Sequence, residues 1–427
     1  MEERRFETPR PASERTVSDA ARHETPRREA PRARRRSIRP YKLRVAQPVL
    51  ADLRRRLDRV RWPDEIAGSG WQYGTNLAYL QKLVEYWRSQ FDWRAQEARL
   101  NSFSHYRTEI DSLGIHFIHE RGKGPDPIPM IITHGWPGSI AQMLKLIPLL
   151  TDPESHGAAA TDSFDVVVPS LPGFGFSDRP TAPGFTKGVA DTWAHLMRAL
   201  GYERFAAHGG DIGAGITEQL ARSHPNSLIG IHLTEVPYFH IFAIPPPELS
   251  EAEQEYLEAG RKWQQEEGAY AMIQGTRPQT LAYGLNDSPA GLAAWIVEKF
   301  RAWSDCDGDV EKRFTQDELL TNLMIYWATG TIGSSMRWYY ELMHDPPAAF
   351  YGQVKVPAGF AMFPKDLVPA PRDFAERIFD VQRWTQMPRG GHFAAMEEPQ
   401  LLAEDIRAFF RPLRMRGRVS HPPSGAT

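Results

Sequence analysis

Cysteine is nearly absent: Cys306 is the single one in 427 residues. No intramolecular disulfide can form, so nothing ties the fold to an oxidising compartment. Cys306 sits in Ser304-Asp305-Cys306-Asp307-Gly308 with no histidine beside it. A thiolate nucleophile needs a positive neighbourhood, so a cysteine enzyme is not expected. No apolar run approaches the roughly 18 residues of a membrane span. The N-terminal stretch has charges but no apolar h-region, so no secretory signal is expected. Net charge is −2, which provides no global field for nucleic acid or an anionic membrane. These absences lead to the expectation of a cytoplasmic protein without a nucleic-acid partner or a membrane anchor. There is no internal repeat. The 41% hydrophobic and 24% charged residues are those of an ordinary globular chain.

Residues 1–40 stand apart, with 12 Arg against 7 Asp plus Glu, repeated Pro and few large apolar residues. Such a segment buries too little surface to offset its ordering entropy, so a disordered arm is expected over 1–37. From Tyr41 the pattern turns helical. Val49, Leu50, Leu53, Leu57 and Val60 recur at three- and four-residue steps, and Trp62-Pro63-Asp64 ends that helix. A second helix runs through Leu77, Leu80, Leu83, Val84 and Trp87. His105 to Glu120 reads as a hairpin turning at 111–114. Strands and helices then alternate: strands at Met130–Ile132, Phe164–Val168, Arg204–Ala207 and Leu228–Leu233, helices from about Ser139 and over Asp191–Leu200. This order implies an α/β fold with a mostly parallel sheet. Residues 238–350 interrupt it with helical, aromatic-rich sequence. A strand over Val356–Phe363 and a helix over Leu401–Phe410 then resume the pattern. The expected domains are an N-terminal helical and meander region (38–127), a core in two parts (128–237 and 351–416), a helical lid (238–350) and a disordered tail (417–427).

Gly209-Gly210-Asp211-Ile212-Gly213 follows a strand and opens a helix. That context is a nucleophile elbow, where small residues flank a side chain held on a strained turn. Asp stands where serine is usual. A carboxylate attacking a carbonyl would give an anhydride; at an sp³ carbon it gives an ester that water can cleave. Epoxides and alkyl halides are the matching electrophiles. Asp before a helix is also a common N-cap, and that is the alternative role for Asp211. His134-Gly135-Trp136-Pro137-Gly138 follows the Met130 strand, which suggests backbone N–H donors at Trp136 and Ile212 for an oxyanion hole. His134 is read as a structural residue of that loop. Gly390-Gly391-His392 comes late, in the chain order nucleophile, acid, histidine, and His392 is the candidate base for water. Asp366, in Phe363-Pro364-Lys365-Asp366, is the candidate acid that orients it; Asp373 and Glu376 fall inside a predicted helix.

With these residues in place, the chain resembles the microsomal-type epoxide hydrolases and the insect juvenile-hormone epoxide hydrolases. The resemblance covers roughly 38–412. It rests on HGWPGS at 134–139, PGFGFSD at 172–178, GGDIG at 209–213, NDSPAGLAAWIVEKF at 286–300, LLTNLMIYWATGTI at 319–332 and RGGHFAAMEEP at 389–399. It implies an α/β-hydrolase fold and hydrolysis of a small-molecule apolar epoxide by water in a detoxifying role, with no cofactor and no metal, in a chain that can self-associate. It places the nucleophile at Asp211, the acid at Asp366 and the base at His392. Two lid tyrosines that donate to the epoxide oxygen fall on Tyr270 and Tyr339, with Tyr340 a rival for the latter. The chain departs from the family in three ways: Ile212 follows the nucleophile where Trp is frequent, Asp366 replaces a frequent Glu, and a polar arm replaces an apolar anchor. Three other functions share the fold: a haloalkane dehalogenase, which Ile212 disfavours by removing a halide donor, an epoxide-opening cyclase, and a non-catalytic binding protein.

Overall fold

The alternation of strands and helices resolves into a nine-stranded sheet ordered β1-β2-β3-β5-β4-β6-β7-β8-β9. The computed structural model describes residues 37–243, 248–346 and 352–416. The expected arm, apart from residue 37, and the expected tail lie outside the described residues. β1 (Arg39–Pro40), β2 (His105–Ile110) and β3 (Leu113–Glu120) form an antiparallel extension that joins β5 (Phe164–Pro169). β4 (Ile128–Thr133), β6 (Phe205–Gly209), β7 (Leu228–Leu233), β8 (Val354–Met362) and β9 (Phe379–Gln386) continue from β5 in parallel. The near-continuous apolar character of β4, β5 and β7 fits strands covered on both faces. The helix Val189–Ala199 packs beside Ile212–Ser223, and Leu146–Thr151 beside Pro399–Arg416.

The N-terminal hairpin is tighter than expected. Only Asp111 and Ser112 lie between the paired Ile110 and Leu113, and both have positive φ (49° and 67°), as a two-residue turn of this hand requires. The first helix runs Gln47–Leu57 and ends before Trp62-Pro63; it buries Leu50, Leu53 and Leu57. The second, Leu77–Ser89, buries Leu80, Leu83, Val84 and Trp87, and Asn76 caps it by accepting the Tyr79 N–H. A third helix, Trp93–Leu100, was not expected. These helices brace the helical insertion: Arg56 Nη1 bonds Asp287 Oδ1 at 2.6 Å, Tyr86 Oη bonds Asp317 Oδ1 at 2.9 Å, and Gln96 Nε2 bonds Asp317 Oδ2 at 3.0 Å.

The helix expected from Ser139 is instead a 3₁₀ turn, Ile140–Met143, followed by a short α-helix, Leu146–Thr151. β9 was missed as well; it is an edge strand with mostly half-buried residues. Between β7 and β8 the chain makes helices that include Glu251–Glu266, Ala269–Thr276, Pro278–Asp287, Pro289–Ala302, Gln316–Thr329 and Ile332–His344. Among the described residues no helix is long and apolar enough to cross a membrane.

Candidate active site

The strand order reverses at β4, with β5 on one side and β6 on the other. In parallel sheets ligands bind beyond the carboxyl ends of the strands at such a point. The chain places His134-Gly135-Trp136 after β4, Asp211 after β6, Glu235 after β7, Asp366 after β8 and His392 after β9.

Asp211 has φ 55° and ψ −129°, and its side chain makes no capping bond to the helix it precedes. The N-cap alternative therefore does not describe it. Its neighbours explain how the turn is accommodated. A Cβ on Gly213 would collide with the Thr133 carbonyl, and one on Gly209 with the Gly213 carbonyl. The Trp136 amide donates to Asp211 Oδ1 at 2.8 Å. Ile212 opens the helix, where the first N–H groups have no intrahelical acceptor, and its side chain lines the cavity. A Cβ on Gly135 would strike the Asp211 carboxylate.

His392 is buried, with Nε2 3.5 Å from Asp211 Oδ2 and Nδ1 2.7 Å from Asp366 Oδ1. Burial opposes its charging, but the carboxylates of Asp366 and Asp211 outweigh it and hold its pKa well above the ordinary value. The loop needs its glycines: Gly390 has φ 103°, and a Cβ on Gly391 would press on the backbone of Trp303–Asp305. Glu397 secures the turn by accepting the Gly391, Phe393 and Asp305 amides at 3.0, 2.9 and 2.8 Å. Burial pushes its carboxyl up to about 7 against these bonds.

Tyr270 and Tyr339 are brought together in the cavity that Asp211 lines, with Tyr339 Oη donating to Tyr270 Oη at 3.5 Å. Tyr270 stacks on Trp136 at 5.2 Å, and Tyr339 meets the same ring edge-on at 5.8 Å. Burial first, then negative charge or phenol nearby, raises both phenols well above their usual pKa, so both stay protonated at neutral pH. Tyr340 is 38% exposed and stacks on His344, away from the cavity. His134 is buried, its Nε2 accepts the Leu171 amide at 3.3 Å, and burial lowers its pKa to about 4, so it is a neutral loop residue.

The cavity above Asp211 holds about 640 Å³ and is mostly apolar, with Ile212, Val236, Trp263, Met272, Leu342 and Val368 in its wall. A second space of about 30 Å³ lies against Asp211 and His392 with His134, His208 and Thr234 in its lining. That is room for a water with polar partners. Sequence reasoning missed Glu235, whose Oε2 is 3.7 Å from His392 Nδ1. The signal available was its place just past a parallel strand, where Asp211 and Asp366 also stand. Glu235, Asp366 and His392 have donor atoms within 4.8 Å of one another, the geometry of a cation site. An ion there would need Nδ1, which already donates to Asp366 at hydrogen-bond distance.

Residues 38–143 match the model of the epoxide hydrolase N terminus, and residues 128–305 that of the alpha/beta hydrolase fold. A Stigmatella aurantiaca protein, provisionally named an epoxide hydrolase, is 47% identical over 89% of this chain and 86% of its own length. Epoxide hydrolase 1 of Oryctolagus cuniculus is 39% identical over 87% of this chain and 88% of its own. The crystal structure of juvenile hormone epoxide hydrolase from the silkworm Bombyx mori superimposes with a TM-score of 0.78 at 31% identity, covering 89% of this chain and 95% of that one. The chain belongs to the epoxide hydrolase family, on the α/β-hydrolase fold.

Proposed function

We propose that this chain converts a bulky apolar epoxide to a vicinal diol through an ester on Asp211. The observation that carries the reading is the opposition of Asp211 to two protonated phenols across an apolar cavity, with His392 behind it. A carboxylate oxygen of Asp211 attacks an epoxide carbon, the C–O bond of the ring breaks, and the alkoxide takes a proton from Tyr270 or Tyr339. The ester has lost the Asp211 charge, one of those that hold His392 protonated. With that charge gone, His392 passes its proton through solvent to the phenolate and is free to act as a base. Water gives it a proton and attacks the ester carbonyl carbon, and the Trp136 amide, already on Oδ1, meets the developing oxyanion. Collapse breaks the acyl C–O bond; the oxygen that came from Asp211 leaves on the diol with the proton of the newly formed carboxyl, and Asp211, a carboxylate again, faces protonated His392.

The paired phenols favour an oxygen leaving group over a halide. His392→Gln tests the division of labour. It is expected to open the epoxide and stall, seen as a substrate-sized mass increase on the intact protein. Replacing both Tyr270 and Tyr339 by Phe is expected to slow ester formation so that no adduct builds up, while each single Phe variant keeps partial activity. An adduct on the double Phe variant and none on His392→Gln would reverse the assigned roles.

A further inference from the structure

The triad accounts for one acid on His392, yet two carboxyls face the same ring nitrogen. Asp366 Oδ1 lies 2.7 Å from Nδ1 and Glu235 Oε2 lies 3.7 Å from it. They come from different strands: Glu235 follows β7 by two residues, and Asp366 follows β8 by four. The Glu235 carboxyl also faces the backbone N–H of Asp211, the residue held at φ 55°, and that amide favours its ionised form. Its side chain is 14% exposed and lines the substrate cavity. Asp366 is incompletely satisfied: Oδ1 takes both the Nδ1 proton and the Leu367 amide, while Oδ2 is buried without a partner.

We propose that Glu235 is a positioning residue shared by nucleophile and base: it stands against the Asp211 amide and is a second acid able to hold His392 when Asp366 does not. This rests on the covalent reading of the site given above. Two carboxyls this close do not both carry full charge in a buried setting. With Asp366 ionised, Glu235 keeps its proton, because burial and then the Asp366 charge raise it well above the carboxylate range. Without that charge, the imidazolium formed when water gives up its proton is the nearest ion, and Glu235 ionises against it. The other groups facing Glu235 are Asp211 and the phenols Tyr256 and Tyr270, and among the described residues no cation other than His392 competes for it.

The test follows formation and decay of the Asp211 ester by rapid quench and intact mass in Glu235→Gln, Asp366→Asn and the double variant, with a styrene-type epoxide as probe. Glu235→Gln alone is expected to slow ester decay about threefold, and about thirtyfold or more in the Asp366→Asn background, the signature of coupled neighbours. Equal factors in the two backgrounds would overturn the proposal. Ester formation is a separate readout. An ester that forms in every variant shows that the nucleophile is folded and the covalent reading stands, whichever way decay falls; no ester in the unmutated protein would remove that reading instead. Should the amide disturb the fold, Glu235→Met fills a similar volume without a carboxyl, and the same comparison of backgrounds decides.

Discussion

Asp211 occupies backbone angles that a side chain with a Cβ rarely adopts, at a cost of roughly 1–3 kcal/mol. The surroundings must over-determine it, and they do so through close approach. Gly209 and Gly213 let the strand, helix and β4 carbonyls pack together, and Gly135 lets the Trp136 loop reach the carboxylate. Gly135→Ala is therefore expected to displace the nucleophile itself. We expect kcat/KM to fall by about 100-fold or more from misplacement alone. The unfolding free energy should drop by only about 1–3 kcal/mol, since the added methyl is an overpacking defect. Steady-state kinetics and urea titration on the same sample check both, and unimpaired turnover would mean that the loop relaxes away from Asp211. These constraints also explain what was legible in the sequence. Small residues around Asp211 and before His392 are demanded by the turns, so the motifs announce themselves. Glu235 carries no such flank, and a lone glutamate after a strand reads as surface. Tyr339 and Tyr340 are adjacent on one helix, about 100° apart, and only packing shows that the first meets Trp136 and the second His344.

The helix Gln316–Thr329 connects the N-terminal region to the His134–Gly138 loop. Its start is held by a capping box between Thr315 and Glu318, and Asp317 receives Tyr86 and Gln96 from the N-terminal helices. Further along, Asn322 Nδ2 donates to the Pro137 carbonyl at 2.8 Å, and Tyr326 Oη donates to that of Gly138 at 2.6 Å. This helix thus fixes the loop that carries the Trp136 amide. Tyr326→Phe leaves the Gly138 carbonyl buried without this donor, at a cost of about 1–3 kcal/mol. Because the same loop aims the Trp136 amide, ester decay is expected to slow by about tenfold, in line with a weakened oxyanion donor. Transient kinetics alongside denaturant titration separate the two effects; a stability loss with unchanged ester decay would mean that the loop is held elsewhere. At this scale the sequence spoke clearly where periodicity was strong, as along Leu77–Ser89, and for strands covered on both faces, such as β7. It was silent where the pattern is weak. Trp93–Leu100 is a short, largely polar helix, and β9 alternates poorly because it has a strand on one side only.

Over the whole molecule, buried histidines set the response to acid. His105, His116, His119, His134 and His208 are all lowered, chiefly by burial, with His119 and His134 near 4 and His208 near 3. The contact of His105 Nδ1 with His116 Nε2 at 2.9 Å suits neutral rings. A histidine depressed in the folded state binds its proton only on unfolding. Its contribution is complete above the unfolded value near 6.5 and is lost as pH falls toward the folded one. Each such group changes stability by up to about 1.4 kcal/mol per pH unit in that window. Glu235 and Glu397 act in the opposite sense, since their raised pKa values favour the folded state at low pH and lose that contribution as pH rises, for Glu397 through about 7. His392, raised by its carboxylates, also loses its contribution on the alkaline side. From pH 6.5 to 5 five histidines pull one way against two carboxyls, so acidification destabilises. Above 7 the histidines are silent, and the raised groups make stability decline again. The urea midpoint is therefore expected to peak between about pH 6.5 and 7 and to fall clearly by pH 5. A midpoint that holds or rises from pH 6.5 to 5 would show that these histidines are charged in the folded protein, and their contacts would have to be reassigned as ion-paired.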